Sequence, residues 1–185
     1  MIDESKIIIA CKEGDHEQFA LLYDAYVQKI YGFIFHKTFH RETAEDLTSE
    51  TFLKALEKIS TYNPKKASFS TWIFAIARNT VIDHYRTFKS ESDIEDVWDI
   101  ASSDDVEMQA DARLAYERLQ KHLQSFTTEQ REILTLRFWQ DMSYVEISEV
   151  LGKSEASVKM AASRGIAKLK KEFFLFLFFS TFFSL

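Results

Sequence analysis

The chain has 185 residues, a hydrophobic content of 46% and a formal net charge of −6 at pH 7. This length and apolar content are enough for one domain, or for two small ones, with a packed core. One proline and four glycines are a poor composition for a β-sandwich and a good one for helices. The acidic balance excludes a general attraction to nucleic acid, so any DNA contact must come from local basic patches.

Cysteine and histidine usage disfavours metal and redox chemistry. Cys11 is the single cysteine, which excludes an internal disulfide and a multi-cysteine zinc site and fits a reducing cytosol. The five histidines lack metal-ligand spacing, and no glycine-rich phosphate loop occurs. We therefore expect no enzyme, no cofactor and no metal site. The N-terminus has no signal-peptide pattern, so a cytoplasmic protein is expected.

The first predicted helix begins near Asp15, which is expected to cap it with Gln18 three residues later. Apolar residues then recur at helical spacing and indicate one broad buried face. These residues are Phe19, Leu22, Tyr23, Tyr26, Val27, Ile30, Tyr31 and Ile34. A stripe of this kind is typical of core packing rather than of a cofactor site.

A second helix is predicted over residues 44–59. The polar stretch 40–43 is expected to end the preceding helix. Leu53 is among the apolar positions of the second helix, whereas Asp46 and Glu50 are expected to stay exposed. Acidic residues at its start suit the positive end of a helix dipole, which explains their charge without a partner.

The stretch 68–86 interleaves aromatic residues with cations and an amide. Pro64 marks a loop, after which Ser68 or Ser70 is expected to cap a helix. Aromatic platforms beside cations suit single-stranded nucleic acid, because every base has a face to stack and the backbone needs neutralising. The residues of this type are Lys65, Lys66, Trp72, Arg78, Asn79 and Arg86. The competing interpretation is that Trp72, Ile76 and Ile82 form core, and we expect each interpretation to hold for different residues.

The stretch 90–111 is acidic, poor in apolar residues and without helical periodicity. Such a run repels itself, so we expect a linker. Trp98 is the one residue in it expected to dock on another surface. Helices are expected to resume at Ala112. A capping box of Thr127 and the glutamine three residues later opens another helix, in which Phe138 is expected to be buried.

The stretch 143–169 predicts two helices joined by a short turn. Ser143 and Glu146 form a second capping box, Gly152 supplies the turn, and Ser154 is the N-cap of the second helix. This is either an ordinary helical hairpin or a helix-turn-helix, whose second helix lies in the DNA major groove. The side chains expected to face outward are Ser157, Lys159, Met160, Ser163 and Arg164. Hydroxyls and cations of this kind can read base edges and grip phosphates.

Three segments resemble, in order, motifs of bacterial RNA polymerase sigma factors of the sigma-70 family, extracytoplasmic-function (ECF) subfamily. They are AEDLTSETFLKAL, FSTWIFAIARNTVIDHYR and LTLRFWQDMSYVEISEVLGKSEASVKMAASRGIAKL. The resemblance covers residues 14–171 and implies an all-α fold of two small helical domains joined by an acidic linker. The implied boundaries are 1–89 for a region 2-like domain, 90–111 for the linker, 112–171 for a region 4-like helix-turn-helix domain and 172–185 for a Phe-rich tail.

For the first domain, the resemblance implies contacts with the beta-prime clamp helices of core RNA polymerase and with melted promoter DNA. The implied polymerase contacts are Asp46, Ser49 and Glu50, and Ser49 departs from the glutamine common there. Asn79 matches the position that reads an unstacked base. The residues implied to act with it at the minus-ten element are Lys65, Lys66, Trp72, Arg78, Asp83 and Arg86.

For the second domain, the resemblance implies contacts with the minus-thirty-five element and with the beta flap of the polymerase. Lys159, Ser163 and Arg164 match DNA-contacting positions. The predicted upstream site is completed by Ser154, Ser157 and Met160. The run Met160-Ala161-Ala162 replaces the usual serine-arginine-leucine, which removes one phosphate or base contact, so the promoter sequence does not transfer from a relative.

The resemblance implies a non-enzymatic promoter-specificity subunit. The alternative is a free-standing helix-turn-helix regulator that binds duplex DNA without polymerase, with its first unit as a sensor or dimerisation module. The stretch 68–86 favours the sigma factor, because a sensor has no need of stacking aromatics beside cations. An anti-sigma protein is the family's usual further partner, and a monomer is expected when the chain is free.

The Phe-rich tail departs from the family pattern. It is too short for a membrane span, which needs about 20 apolar residues. Four interpretations stay open: a packed helix end, a docking strip for a partner, a membrane-surface anchor helped by nearby lysines, or a tail without function. Packing or partner docking is favoured over membrane contact.

Overall fold

The computed structural model describes residues 4–38, 40–88 and 126–182. Within these ranges the chain forms seven α-helices and no strand, which confirms the predicted all-α class. The helices are α1 (Glu4–Lys12), α2 (Phe19–Thr38), α3 (Arg41–Lys58), α4 (Phe69–Phe88), α5 (Thr128–Phe138), α6 (Tyr144–Leu151) and α7 (Glu155–Phe182). Short 3₁₀ turns lie at His16–Gln18 and Ile59–Thr61.

Several predictions fall outside the described part of the chain. They are the acidic linker, the docking of Trp98 and the helix beginning at Ala112. The side chains of 172–182 are also outside it, so the interpretations of the tail stay predictions. Among the residues that are described, no helix is long and apolar enough to cross a membrane.

The helix starts follow the predicted caps in the second half of the chain. Both capping boxes are present, Thr127 with Gln130 before α5 and Ser143 with Glu146 before α6. Of the two serines expected to cap α4, Ser68 makes the bond, because its Oγ accepts the backbone N–H three residues later at 3.1 Å. Each cap satisfies an N–H group that has no partner inside the helix.

Three boundaries in the first half differ from the prediction. Asp15 makes no capping hydrogen bond and precedes a 3₁₀ turn, after which α2 begins. The polar stretch after α2 starts the next helix, because His40 Nδ1 accepts the backbone N–H of Thr43 at 3.2 Å and caps α3. Helix α1 was not predicted, since its apolar run is short, yet it buries Ile7 and Cys11.

Three residues predicted to be buried are exposed. The exposed fractions are 62% for Leu53, 60% for Phe138 and 41% for Tyr23. Leu53 lies beside the buried stripe of α3 rather than on it, and Phe138 falls in the last turn of α5. Apolar spacing locates a stripe but not its edges, because the width of the covered face depends on which helices pack there.

One apolar core joins helices from both sides of the gap at 89–125. Helix α2 packs against α3 and α4, α5 packs against α7, and α6 packs against both α4 and α7. Ile30, Phe33 and Phe74 from the first part belong to the same buried cluster as Ile133 and Ile147 from the second. Helix α6, the first helix of the helix-turn-helix, therefore connects α7 to α4.

Gly152 ends α6 in the left-handed conformation, with a φ of 65°, and no atom lies within 4 Å of the position that a Cβ would take there. Gly32, inside α2, has equally open space, but its φ is not positive. Both positions have room for a Cβ, so backbone conformation is the difference that bears on an alanine substitution.

We expect Gly152→Ala to lower the free energy of unfolding by about 1 kcal/mol, because an L side chain disfavours the left-handed region. Gly32→Ala should raise it by up to about 1 kcal/mol, because alanine favours the helix and restricts the unfolded chain. Urea denaturation measures both variants. Changes of the same sign and size in the two would contradict the left-handed turn at Gly152.

Candidate functional site

The three candidate polymerase-binding residues share one exposed face of α3. Asp46, Ser49 and Glu50 are all exposed, at spacings that place them on adjacent turns. Glu50 Oε1 pairs with Lys54 Nζ at 2.7 Å, and Ser49 Oγ donates to the backbone carbonyl of Glu45 at 3.0 Å. The hydroxyl is thus partly engaged by its own helix. The two carboxylates give the face its negative charge.

An open cleft of about 930 Å³ lies between α2 and α3 beside this face. Ser49 is part of its lining, which otherwise mixes aromatic and charged side chains of the two helices. Among them are Tyr23, Tyr31, Phe35, Arg41 and Glu45. Such a mixture suits a protein surface with both apolar and charged groups.

Helix α4 presents a second exposed polar face. Asn79, Asp83 and Arg86 are exposed and recur at spacings of four and three residues. Trp72 lies two turns earlier on the same side, is half-buried, and packs its ring on Tyr62 with the centroids 5.1 Å apart. Trp72 is therefore part of the edge of the core, which confirms the packing interpretation for it, while its role as a stacking platform stays a prediction.

The Lys65–Lys66 loop is anchored beside Trp72. Both lysines are exposed. Asn63 holds the turn, because its Oδ1 accepts the backbone N–H of Lys65 and its carbonyl accepts that of Lys66, each at 3.0 Å. The buried Tyr62 ring fixes the start of the loop against Trp72. The sequence analysis assigned Lys65, Lys66 and Trp72 to one candidate nucleic-acid site. In the structure the loop lies at the beginning of the exposed polar face of α4.

Arg78 is placed differently from its neighbour Asn79. Its Nε donates to Glu132 Oε1 at 3.1 Å, and Lys37 Nζ donates to the same oxygen at 2.6 Å. The side chains of Lys37 and Glu132 are 4% and 6% exposed, and that of Arg78 is 24% exposed. We call these three residues the Glu132 cluster. It joins α2 and α4 to α5, so Arg78 points toward the second half of the chain.

The buried Glu132 cluster combines one carboxyl group with two basic side chains. Burial opposes ionisation of Glu132, but Lys37 and Arg78 outweigh it, and the pKa of Glu132 lies below its ordinary value. Burial lowers the pKa of Lys37, and the Glu132 carboxylate offsets part of that effect. Removing one partner leaves the others charged in apolar surroundings, which makes such a group costly to break.

Helix α7 presents most of the face predicted to point outward. Ser154 caps it, with its Oγ accepting the backbone N–H of Ser157 at 3.3 Å. Ser157 is half-buried, and the exposed members of the face are Lys159, Met160, Ser163 and Arg164. Lys159 Nζ pairs with Glu155 Oε1 at 2.6 Å, and both side chains are about half exposed. A shallow groove of about 350 Å³ beside Tyr144 is lined by Lys159, Ser163 and Lys170.

Sequence reasoning missed Lys37 and Glu132. Lys37 lies four residues after the buried Phe33, and Glu132 lies four residues before the buried Leu136. Each charge therefore lies on the apolar stripe of its helix, where a charged residue needs a partner. The sequence therefore indicated that each of these charged residues needs a partner. It did not show which residue the partner is, because the pairing residues are far apart in the chain.

A ring contact lies in the same region of the molecule. The rings of His36 in α2 and Trp139 at the end of α5 are 5.7 Å apart. Burial lowers the pKa of His36 below its ordinary value. Trp139 covers one side of the imidazole while remaining 63% exposed itself. This contact is a second link between α2 and α5.

The fold defines an all-α protein whose described C-terminal part contains a helix-turn-helix. Residues 22–91 match the model of sigma-70 region 2, and residues 116–169 match that of sigma-70 region 4. The RNA polymerase sigma factor YlaC of Bacillus subtilis is 34% identical over 155 residues, covering 81% of this chain and 88% of YlaC. The ECF RNA polymerase sigma factor SigX of the same species is 31% identical, covering 84% and 83%.

A longer relative is the ECF RNA polymerase sigma factor BldN of Streptomyces coelicolor. It is 31% identical over 170 residues, which cover 90% of this chain but 64% of BldN. Two solved structures show the same fold. They are CnrH in complex with the cytosolic domain of CnrY, with a TM-score of 0.69, and RpoE of Bartonella quintana in complex with the anti-sigma factor NepR, with a TM-score of 0.65. The CnrH chain is 21% identical, and the match covers 90% of this chain and 94% of CnrH. The RpoE chain is also 21% identical, and the match covers 84% of this chain and 96% of RpoE.

The chain therefore belongs to the ECF subfamily of the sigma-70 family of RNA polymerase sigma factors. Sigma factors are initiation factors that direct RNA polymerase to promoters and are not enzymes in their own right. The alternative of a free-standing regulator is not favoured, because both matched regions belong to sigma factors. The predicted domain boundaries and the assignments of individual site residues stay predictions.

The His36–Trp139 contact can be tested by titration. In an NMR titration, His36 should have a pKa below that of an exposed histidine, because burial disfavours the imidazolium. Trp139→Ala should move this pKa back toward the ordinary value by opening the site to water. Because the pKa of His36 is lower in the folded chain than in the unfolded chain, the free energy of unfolding should decrease as the pH falls below the unfolded-state pKa. His36→Gln assigns the signal, and an unchanged pKa in Trp139→Ala would contradict the contact.

Proposed function

We propose that this sigma factor binds core RNA polymerase through α3, places it on the upstream promoter element through α7, and holds melted minus-ten bases on α4. The observation that carries this proposal is the pair of chemically different exposed faces. The α4 face combines the amide of Asn79, the guanidinium of Arg86 and the aromatic edge of Trp72, which suits unstacked bases. The α7 face has hydroxyls and cations on a helix-turn-helix, which suits a major groove.

The proposed polymerase contacts are mainly electrostatic in the first half of the chain and apolar in the second half. Asp46 and Glu50 offer carboxylates, and the nearby cleft between α2 and α3 offers aromatic surface to the beta-prime clamp helices. Phe138 and Trp139, 60% and 63% exposed, form an apolar pair that suits the beta flap. Ser49 donates to its own helix, so the two carboxylates are expected to dominate the clamp contact.

Upstream recognition is proposed to rest on Lys159, Ser163 and Arg164. The ion pair of Lys159 with Glu155 is exposed, and such pairs are weak enough to give way to a phosphate. Met160 is 54% exposed and offers a flexible apolar tip, which suits a thymine methyl better than a phosphate. Ser154 and Ser157 lie at the helix start, where backbone N–H groups also favour a phosphate.

The location proposed is the cytoplasm, where polymerase and chromosomal DNA meet. The structurally similar RpoE was solved with the anti-sigma factor NepR. We propose that this chain also has an anti-sigma partner, because the exposed α3 face that would bind polymerase is open to a competitor.

In-vitro transcription tests the proposal. Core RNA polymerase and fragmented genomic DNA of the source bacterium are incubated with and without the protein, and the transcript starts are sequenced. New starts that share two spaced upstream motifs support the sigma function. No new starts, with retardation of duplex DNA by the protein alone, would contradict it and support the free-standing regulator.

Removal of a recognition-helix cation should weaken promoter binding. Lys159→Ala and Arg164→Ala should each cost about 1–3 kcal/mol of holoenzyme affinity for duplex promoter DNA and reduce the salt dependence, since each removes a phosphate or base contact. Fluorescence anisotropy at several salt concentrations measures both quantities. Lys58→Ala is the matched control, because it removes the same charge from the exposed end of α3. Equal losses in all three variants would contradict the assigned face.

Asn79 should act after duplex binding. Asn79→Ala should spare closed-complex formation but lower the fraction of open complexes, because the lost amide no longer holds an unstacked base. Permanganate reactivity of melted thymines measures opening, and promoter retention in the same sample serves as the internal control. Normal permanganate reactivity in the variant would contradict the role of Asn79.

A further inference from the structure

We propose that helix α1 positions part of the surface that holds melted promoter DNA, with Lys12 as the positioning residue through which it acts. The part in question is the Lys65–Lys66 loop together with Trp72, which we call the opening surface. Helix α1 lies before residues 22–91, the part of the chain that matches sigma-70 region 2. The inference rests on the proposed function, because it concerns residues that are proposed there to contact melted DNA.

Lys12 joins the end of α1 to the start of the loop. Its Nζ donates a hydrogen bond to the backbone carbonyl of Tyr62 and lies 5.8 Å from the centroid of the Tyr62 ring. A hydrogen bond from a charged donor is stronger than one between neutral groups. Helix α1 is itself fixed to the core, because it buries Ile7, Ile8 and Cys11. The position of Tyr62 is therefore tied to a firmly packed helix.

Tyr62 holds the loop at both of its ends. Its carbonyl, bound by Lys12, lies where the loop begins, and its hydroxyl donates to the backbone carbonyl of Ala67 at 3.0 Å where the loop ends. The tyrosine is only 4% exposed, so its ring is fixed in the core. A short backbone segment held at both ends has few conformations left to lose when it binds a ligand. The two lysines of the loop are thus presented in a narrow range of positions.

The same helix positions Trp72 through packed aromatic rings. The Trp72 ring lies 5.1 Å from that of Tyr62 and 5.6 Å from that of Phe69, measured between centroids. At the other end of α1, Glu4 Oε1 accepts a hydrogen bond from the Tyr26 hydroxyl at 2.8 Å. The Tyr26 ring in turn packs edge-on against Phe69 at 5.3 Å. Both ends of α1 therefore reach a ring that contacts Trp72.

A fixed opening surface favours promoter opening more than duplex binding. Bases stack on an aromatic side chain only after they leave the duplex, and a platform already in place loses less entropy when they do. Duplex binding is proposed to rest on α7, which does not depend on the loop. Loss of the Lys12 contact should therefore lower the fraction of open complexes and spare closed ones. A residue that only stabilised the fold would lower both, because it would reduce the amount of folded protein.

The test compares Lys12→Met with the wild-type chain, because methionine removes the donor and keeps an unbranched side chain. Trypsin cleaves after lysine, so limited proteolysis read by mass spectrometry reports exposure of the Lys65–Lys66 backbone without any DNA. Cleavage there should be faster on the order of threefold to tenfold in the variant, since one charged hydrogen bond is lost. With core RNA polymerase and promoter DNA, permanganate reactivity of melted thymines should fall by a similar factor, while closed complexes are retained.

Two further variants and a control sharpen the comparison. Lys12→Arg keeps a cationic donor and should behave like the wild-type chain. Tyr62→Phe removes the hydroxyl that binds Ala67 but keeps the ring against Trp72, so it should act in the same direction as Lys12→Met. Lys58→Met is the matched control, because it makes the same substitution at an exposed lysine near the end of α3. It should change neither loop cleavage nor opening.

Each outcome decides the proposal. Unchanged loop cleavage in Lys12→Met and Tyr62→Phe would overturn it, and so would faster cleavage with normal promoter opening. Parallel loss of closed and open complexes, or failure of both variants to fold, would make the contacts merely structural and would also overturn it. Should one variant fail to fold, the other decides by the same criteria. Faster cleavage in the variants, with no open complexes formed even by the wild-type chain, would leave the hold of α1 on the loop standing and contradict the proposed function.

Discussion

A single buried carboxylate organises the packing between the two halves of this sigma factor. Glu132 accepts hydrogen bonds from Lys37 and Arg78, and its pKa is lowered because the two cations outweigh the effect of burial. Apolar contacts alone set the register of α5 against α2 and α4 only loosely, whereas a buried carboxyl group that needs two donors narrows it. The position of the helix-turn-helix relative to α4 in the free chain therefore depends on this cluster.

Helix α4 combines three environments around its circumference. Phe74, Ala77 and Val81 are buried in the core, Asn79 is exposed, and Arg78 lies between them at the contact with Glu132. Because adjacent residues are about 100° apart on a helix, neighbours such as Arg78 and Asn79 serve different surfaces. The helix that is proposed to hold melted DNA is also the helix on which the second half of the chain rests. Binding and packing are thereby coupled through one element.

The net charge of −6 does not conflict with DNA binding. Lys65 and Lys66 in the loop before α4 and Lys159 and Arg164 on α7 are exposed cations, while Asp46 and Glu50 are exposed carboxylates on the α3 face proposed for polymerase. Screening limits the reach of each charge to about 8–10 Å in physiological salt, so local composition rather than the total determines each contact. A chain with a net negative charge can thus present a positively charged face to nucleic acid and a negatively charged face to polymerase.

The sequence determined those features that depend on neighbours along the chain. Capping boxes at Thr127 and Ser143 and the left-handed turn at Gly152 follow from local hydrogen bonding and backbone sterics, and each is present. The family and its function followed from motif order. His40 as a helix cap was missed because an imidazole is a less common cap than a hydroxyl or carboxylate.

Only the tertiary structure decided which side of each helix is covered and by what. Leu53 and Phe138 are exposed because no helix in the described part of the chain packs over them, although their spacing is that of core residues. The role of Arg78 changed for the same reason, since its partner Glu132 comes from another half of the chain. Side-chain type and helical period are local properties. The pairing of distant charges depends on how whole helices pack, and a single sequence carries no direct record of that packing.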